Sequence, residues 1–298
     1  MFKVFKKSIP DNLINRVLKA HEEFKYSRLS FFRAQGTDAF EKPILDKYNN
    51  QVNSIHNPHL LGFSRNLRKS HNNIIYHKNI SRALSSFTGS KDHIHWQSMF
   101  FDKSTATRLH QDTWYLDTTN RGKLVGVWIA LEDISINSGP FIIYANTDKK
   151  QIDPNLYNFR DIEKDEKFLK DFPEAKKYHF LANKGDILIW DSFTIHGAES
   201  VIDPILTRKS ITSHYYPKNL SPIDAPIKRF YSIYNHKNPI KTNNKKIFKA
   251  ATINPYFYSL ICLLLTTVKS LRYFFPKDKL IKKSHKNLLD IRNIKKSE

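Results

Sequence analysis

A chain of 298 residues is long enough to bury one sizeable core, and a composition of 40% hydrophobic and 26% charged residues excludes a mainly disordered protein. The formal charge of +21 would suit a phosphate polymer, but the excess is local: residues 218–298 hold 18 Lys/Arg and 4 Asp/Glu, a net +14, which leaves +7 for the first 217 residues. No recognition module accompanies that charge, so nucleic acid is not the expected partner. The single cysteine, Cys262, excludes an intrachain disulfide, and MFKVFKKSIPDN lacks the apolar region of a secretory signal. The expected setting is the cytoplasm.

In chain order, residues 11 to 26 are expected to form an amphipathic helix, with Asp11 at the N-cap and Leu13, Val17, Leu18 and Phe24 on one apolar face. Residues 1–90 as a whole read as a polar, helical and looped region packed on the core. From residue 92 short apolar or alternating runs take over: residues 93–101, 124–131, 140–145, 186–190 and 208–216. They are separated by turn signals such as Asn137-Ser138-Gly139-Pro140 and Asn183-Lys184-Gly185-Asp186. This spacing predicts a mainly β, jelly-roll core over residues 91–217. The charged stretch 148–178 reads as helix and loop inserted between strands, either covering the barrel mouth as a lid or standing as a solvated excursion.

His110 and Asp112 are two residues apart, so an extended backbone would put both on one side. Downstream, Gly185-Asp186-Ile187-Leu188-Ile189-Trp190-Asp191 forms a turn into an apolar strand, followed by His196-Gly197. Two histidines and one carboxylate on one face of an iron leave three positions open for a chelating cosubstrate and O2. In the run starting at Arg208, period two places Arg208, Ser210, Thr212 and His214 on one face. A guanidinium inside a barrel needs an anion, and the far carboxylate of 2-oxoglutarate fits its fork, with Ser210 placed to donate to the same group. Gln97, on the strand before His110, is placed either to hydrogen-bond cosubstrate or substrate or to be a satisfied structural amide. Trp114 and Tyr115 are candidate walls of the substrate pocket, or simply packing. His93 and His95 form a second pair, read as structural rather than metal-binding.

HQDTWY at 110–115, NSGPFIIY at 137–144, KGDILIWDSFTIHGAES at 184–200 and RKSITSHYYP at 208–217 resemble the core motifs of the phytanoyl-CoA dioxygenase family. The resemblance implies a double-stranded β-helix. It also implies Fe(II) on His110, Asp112 and His196, with Arg208 anchoring 2-oxoglutarate. The implied reaction is hydroxylation of a small-molecule or lipid-like substrate by O2, with release of succinate and CO2. The carboxylate at Asp112 favours hydroxylation, since similar halogenases lack it. Tyr144-Ala145-Asn146-Thr147-Asp148-Lys149 departs from the family's pattern after the Gly-Pro turn, which puts substrate contacts in that loop in doubt.

The basic C-terminal extension, 218–298, contains a predicted apolar helix at 256–268, followed by Lys269, Arg272, Lys277, Lys279, Lys282, Lys283 and Lys286. Residues 256–286 are therefore expected either to contact an anionic membrane peripherally, at its inner face, or to pack against the core or a partner chain. Two other functions compete with the oxygenase: a non-catalytic jelly-roll protein that binds a ligand or a membrane, and a cupin-like metalloenzyme that does not use 2-oxoglutarate. Arg208 separates the latter from the oxygenase.

Overall fold

The structure is a computed structural model that describes residues 1–35, 39–114, 116–148, 150–152, 168–220, 240–241, 247–249 and 254–273. Tyr115, residues 153–167 of the charged insert and the basic residues after 273 lie outside the described residues.

The core consists of two facing sheets. The larger contains β1 (Phe2–Phe5), β2 (Phe32–Ala34), β3 (Phe40–Glu41), β4 (Ile55–His56), β5 (His93–Phe101), β6 (Val125–Ala130), β9 (Ile187–Asp191) and β11 (Ser210–Pro217), ordered β1-β9-β6-β11-β5-β4-β2-β3. These neighbours pair antiparallel. The smaller sheet is β10-β7-β8, with β7 (Phe141–Ala145), β8 (Lys176–Phe180) and β10 (His196–Ala198). Two further short strands, β12 (Ile240–Lys241) and β13 (Ile247–Lys249), extend the large sheet, where β13 runs parallel to β5. This mainly antiparallel two-sheet arrangement is the expected jelly roll.

Strands β6 and β9 are apolar on both faces because the large sheet is the middle of three layers. Val125, Val127, Ile129, Ile187 and Ile189 pack with residues of α1 (Asp11–Lys25), α2 (Arg65–Ile75) and α3 (Lys78–Thr88). The alternate residues Trp128, Ala130, Leu188 and Trp190 pack with Phe141, Ile143 and Phe180 of the small sheet. The site lies on this second face.

Helix α1 covers the predicted span, but Pro10 precedes it without a side-chain cap. Asp11 is the first helical residue, where its charge favours the helix dipole instead of capping. The N-terminal region also contributes strands as well as helices: β1 pairs with β9 from Phe2↔Trp190 to Phe5↔Ile187. The segment 148–178 is not wholly helix and loop, since Lys176 begins β8. This strand is exposed over four of its five residues, so it carried no apolar signal.

The two faces of the large sheet bury histidines that pair without charge. His71 of α2 accepts from or donates to Ser98 Oγ at 2.9 Å, and His56 of β4 bonds Gln97 Oε1 at 3.0 Å. Burial pulls both imidazoles down to about 3 from 6.5, with Arg33 adding to the effect at His56. The unfolded chain would bind protons that the folded one refuses, so stability rises with pH between those values and is lost as pH falls below 6.5. Urea unfolding at about pH 7 and about pH 5 should differ by about 2 kcal/mol for each of these histidines. Unchanged stability over that interval would mean that they are not buried as neutral rings.

Candidate metal and cosubstrate site

The three ligand candidates meet at one backbone bridge. His110 N–H donates to the His196 carbonyl at 3.0 Å, and His196 N–H donates to the His110 carbonyl at 3.1 Å. This seals the loop after β5 onto β10. Gly197 permits the approach, because a Cβ there would stand 2.7 Å from the Thr107 carbonyl oxygen, which instead accepts the Ala198 N–H at 2.8 Å.

One device aims both imidazoles. His110 Nδ1 lies 2.7 Å from the Arg108 carbonyl and His196 Nδ1 2.9 Å from the Thr194 carbonyl. A carbonyl only accepts, so each Nδ1 carries a proton, and Nε2 is the ring atom left to ligate a metal. Both face one oxygen, Asp112 Oδ1, at 3.6 Å and 3.5 Å. Among the described residues, these three form the group able to hold a metal, with ligand atoms within 4.8 Å of one another. His93 and His95 instead engage Thr88 Oγ1 at 2.8 Å and the Tyr76 hydroxyl at 3.0 Å.

The second carboxylate oxygen is occupied from behind. Trp190 Nε1 donates to Asp112 Oδ2 at 2.9 Å, and His214 Nε2 stands 3.4 Å from the same atom. Burial pushes the Asp112 pKa up, but His196, His214 and His110 outweigh it and hold the carboxyl well below its ordinary value. Burial likewise lowers His196, against the pull of Asp112, which favours the neutral ligand form. Gly126 makes room for the indole: a Cβ there would lie 2.2 Å from Trp190 Cε2.

His214 is the end of a directional chain. Arg33 Nη1 only donates, and it lies 3.4 Å from His56 Nδ1; His56 Nε2 then donates to Gln97 Oε1 at 3.0 Å. Gln97 Nε2 donates to His214 Nδ1 at 3.3 Å, which leaves the His214 Nε2 proton facing Asp112. Gln97 is thus engaged by histidines at both ends of its amide, and it orients His214.

Arg208 enters the core just before β11, held by its backbone N–H donating to the Asp102 carbonyl at 3.0 Å. Its side chain is 2% exposed and lies over the Phe101 and Trp128 rings, at 5.4 Å and 5.8 Å from the centroids. Burial lowers its pKa to about 10, with Glu132 pulling the other way. Three buried donors here lack a partner: Arg208 Nε, Ser210 Oγ and Trp128 Nε1. Thr212 lies opposite Trp128, and Ser210 opposite Ala130 on β6, so these donors share one face of adjacent strands. A buried cation beside orphaned donors is the chemistry of a carboxylate cradle, and the residues fit the distal carboxylate of 2-oxoglutarate.

Trp114 is half-buried, donates from Nε1 to the Ile152 carbonyl at 2.9 Å and packs near Ile152, Phe172 and Ile195. It anchors the start of the insert. The loop that departs from the family pattern braces the metal site: Thr147 Oγ1 accepts the Ile195 N–H at 2.9 Å, one residue before His196. Sequence reasoning passed over Trp190, Trp128 and His214 as site residues. His214 carried a signal in its period-two alignment with Arg208, whereas the tryptophans looked like ordinary core.

Replacing Trp190 with Phe keeps the ring but removes the donor to Asp112 Oδ2. Fe(II) affinity measured anaerobically by calorimetry should fall about 10- to 100-fold. Trp114→Phe, which loses a bond that touches none of the ligands, should leave it within about twofold. Equal effects of the two changes would remove the role assigned to the indole.

A model of the phytanoyl-CoA dioxygenase family matches residues 6–204. Peroxisomal phytanoyl-CoA dioxygenase from Homo sapiens is 28% identical over 126 residues, which are 41% of this chain and 37% of the human protein. The chain therefore spans well under half the length of that curated relative. Among solved structures, the non-haem α-ketoglutarate-dependent carbocyclase SnoK from nogalamycin biosynthesis is similar at a TM-score of 0.57 and 15% identity, covering 81% of this chain and 89% of that one. The epimerase SnoN, in complex with Fe3+, α-ketoglutarate and nogalamycin RO, is similar at 0.54 and 11%, covering 83% and 93%. EctD from S. alaskensis with bound Fe is similar at 0.53 and 15%, covering 73% of each chain. At these identities the structural likeness is one of fold. With the family model spanning two thirds of its length, the chain belongs to the phytanoyl-CoA dioxygenase family.

Proposed function

We propose that this protein is an Fe(II)- and 2-oxoglutarate-dependent dioxygenase that hydroxylates a small-molecule or lipid-like substrate and releases succinate and CO2. The observation that carries the reading is the pairing of a complete His110–Asp112–His196 ligand set with a buried Arg208 that has an orphaned donor. Iron with 2-oxoglutarate bound would supply the activation of O2 and the oxidative decarboxylation that drives hydroxylation.

This chain's residues do the rest. His110, Asp112 and His196 would hold the metal by one face, with the tautomers of both imidazoles set by the Arg108 and Thr194 carbonyls. Arg208, Ser210 and Trp128 would hold the far carboxylate of the cosubstrate, which would satisfy donors that are otherwise buried without partners. Phe141 and Trp190 flank His196, at 5.6 Å and 4.8 Å between ring centroids, and shield that ligand from water. A small-molecule substrate is in keeping with SnoN, which was solved with nogalamycin RO bound. A cytoplasmic setting accords with the single buried Cys262. Peripheral contact with an anionic membrane through residues 256–286 would suit the lipid-like end of the substrate range.

The test is succinate formation from 2-oxoglutarate by anaerobically iron-loaded protein exposed to O2. His110→Ala should abolish it. Arg208→Ala should raise the KM for 2-oxoglutarate roughly a hundredfold, the worth of about 3 kcal/mol from charge-assisted hydrogen bonds. Failure of both Fe(II) and 2-oxoglutarate to bind would instead leave a jelly-roll binding protein.

A further inference from the structure

Among the described residues, the helix α4 (Pro255–Tyr273) is fastened to the core by one face. Its start sits on Gly62, where a Cβ would come within 2.4 Å of the Pro255 carbonyl oxygen. Ser259 Oγ accepts the Gly62 N–H at 2.7 Å, and Tyr258, Ser259 and Cys262 are buried. This docking fixes which side of the helix points outward.

The outward side is apolar. Tyr256, Phe257, Leu260 and Leu264 are 55%, 57%, 42% and 54% exposed, and their spacing of one, four and eight residues from Tyr256 places them on one face. Leu265, 38% exposed, extends the apolar surface. A soluble helix docked by one face ordinarily presents polar residues on the other, so this pattern asks for a second apolar partner.

Charge selects that partner. Beside the helix start, Arg65 and Lys69 of α2 are exposed, and the Arg68 guanidinium lies 5.6 Å from the Tyr256 ring centroid. Beyond Val268 the sequence carries ten Lys/Arg against three Asp/Glu to the end of the chain. A second copy seated on this face would bring its own Arg65, Arg68 and Lys69 against those of the first, which like-charge repulsion opposes. A bilayer with anionic headgroups accepts both the apolar stripe and the cations. No described helix is long and apolar enough to cross a membrane, which fits a helix lying in the interface. We propose that the outer face of α4, with Arg65, Arg68 and Lys69 beside its start, docks this protein peripherally on an anionic lipid surface.

The inference stands apart from the oxygenase reading, since its test uses neither iron nor 2-oxoglutarate. The full chain is sedimented with mixed phosphatidylcholine–phosphatidylglycerol vesicles and with phosphatidylcholine vesicles, at low and high salt. Binding is expected to the anionic vesicles only and to weaken with salt. The exposed-face double variant Leu260→Glu, Leu264→Glu should lose it by at least about tenfold. Substituting Arg65 and Lys69 with Glu should weaken it about 25-fold, about fivefold per residue. Ile202→Glu, at an equally exposed apolar residue elsewhere (72%), should leave binding unchanged. Circular dichroism confirms that each variant is folded. Absence of binding to anionic vesicles at low salt would overturn the proposal, as would binding indifferent to the Leu260 and Leu264 changes. So would a dimer that dissociates on those changes without any vesicle binding, which would assign the face to a second copy.

Discussion

The site depends on two backbone hydrogen bonds between His110 and His196. They join a loop that leaves the large sheet after β5 to the first residue of β10 in the small sheet, and so close the two layers over the metal position. Once closed, each imidazole is oriented by a carbonyl two residues before it, which settles tautomer and direction together. Asp112 follows on the next turn, with one oxygen toward the histidines and the other toward Trp190 and His214. The ligand set is therefore organised mainly by backbone geometry, which does not relax when a side chain rotates. Gly197 and Gly126 are small because neighbouring atoms occupy the space a Cβ would need.

Electrostatics divides the site into two halves. At the metal end, three histidines surround a buried carboxylate and keep it ionised despite the cost of burial. At the other end, Arg208 is a buried cation whose nearest organised company is aromatic, and burial erodes its basicity. Each half is costly in isolation, and each is relieved by what it would bind: a cation at Asp112 and a carboxylate at Arg208. Behind Asp112 runs the polar chain from Arg33 through His56 and Gln97 to His214, in which every donor and acceptor role follows from arginine having nothing to accept with. This chain links the N-terminal strands to the metal carboxylate, so the region before residue 90 belongs to the site's support as well as to its cover.

The layered core explains why the two faces of the large sheet differ in what they tolerate. The face toward the helices is filled with Val, Ile and Leu, with neutral histidines such as His71 at its margin. The face toward the small sheet holds Trp128 and Trp190, whose rings pack while their N–H groups face the polar site. An aromatic residue with one polar atom can serve core and site at once. Helix α4 extends the same logic outward, with one face given to the core and the other left apolar.

By itself the sequence determined the elements with strong local signals. The apolar runs at β5, β6, β9 and β11, the Gly139 and Gly185 turns with their positive φ, and helix α1 all follow from periodicity and turn chemistry. The metal group His110, Asp112 and His196 was legible through the family motifs, and Arg208 stood out as the candidate for the cosubstrate carboxylate. Tertiary structure decided the rest. Strand β8 is a solvated edge, β10 is three residues long, and β1 exists only by pairing with β9, so none of them carries a pattern that stands without its partner. The roles of Trp190, Trp128 and His214 arise from register between strands distant in the chain, a relation that no local window contains. Which side of α4 meets the core was likewise set by Gly62, nearly two hundred residues away in sequence.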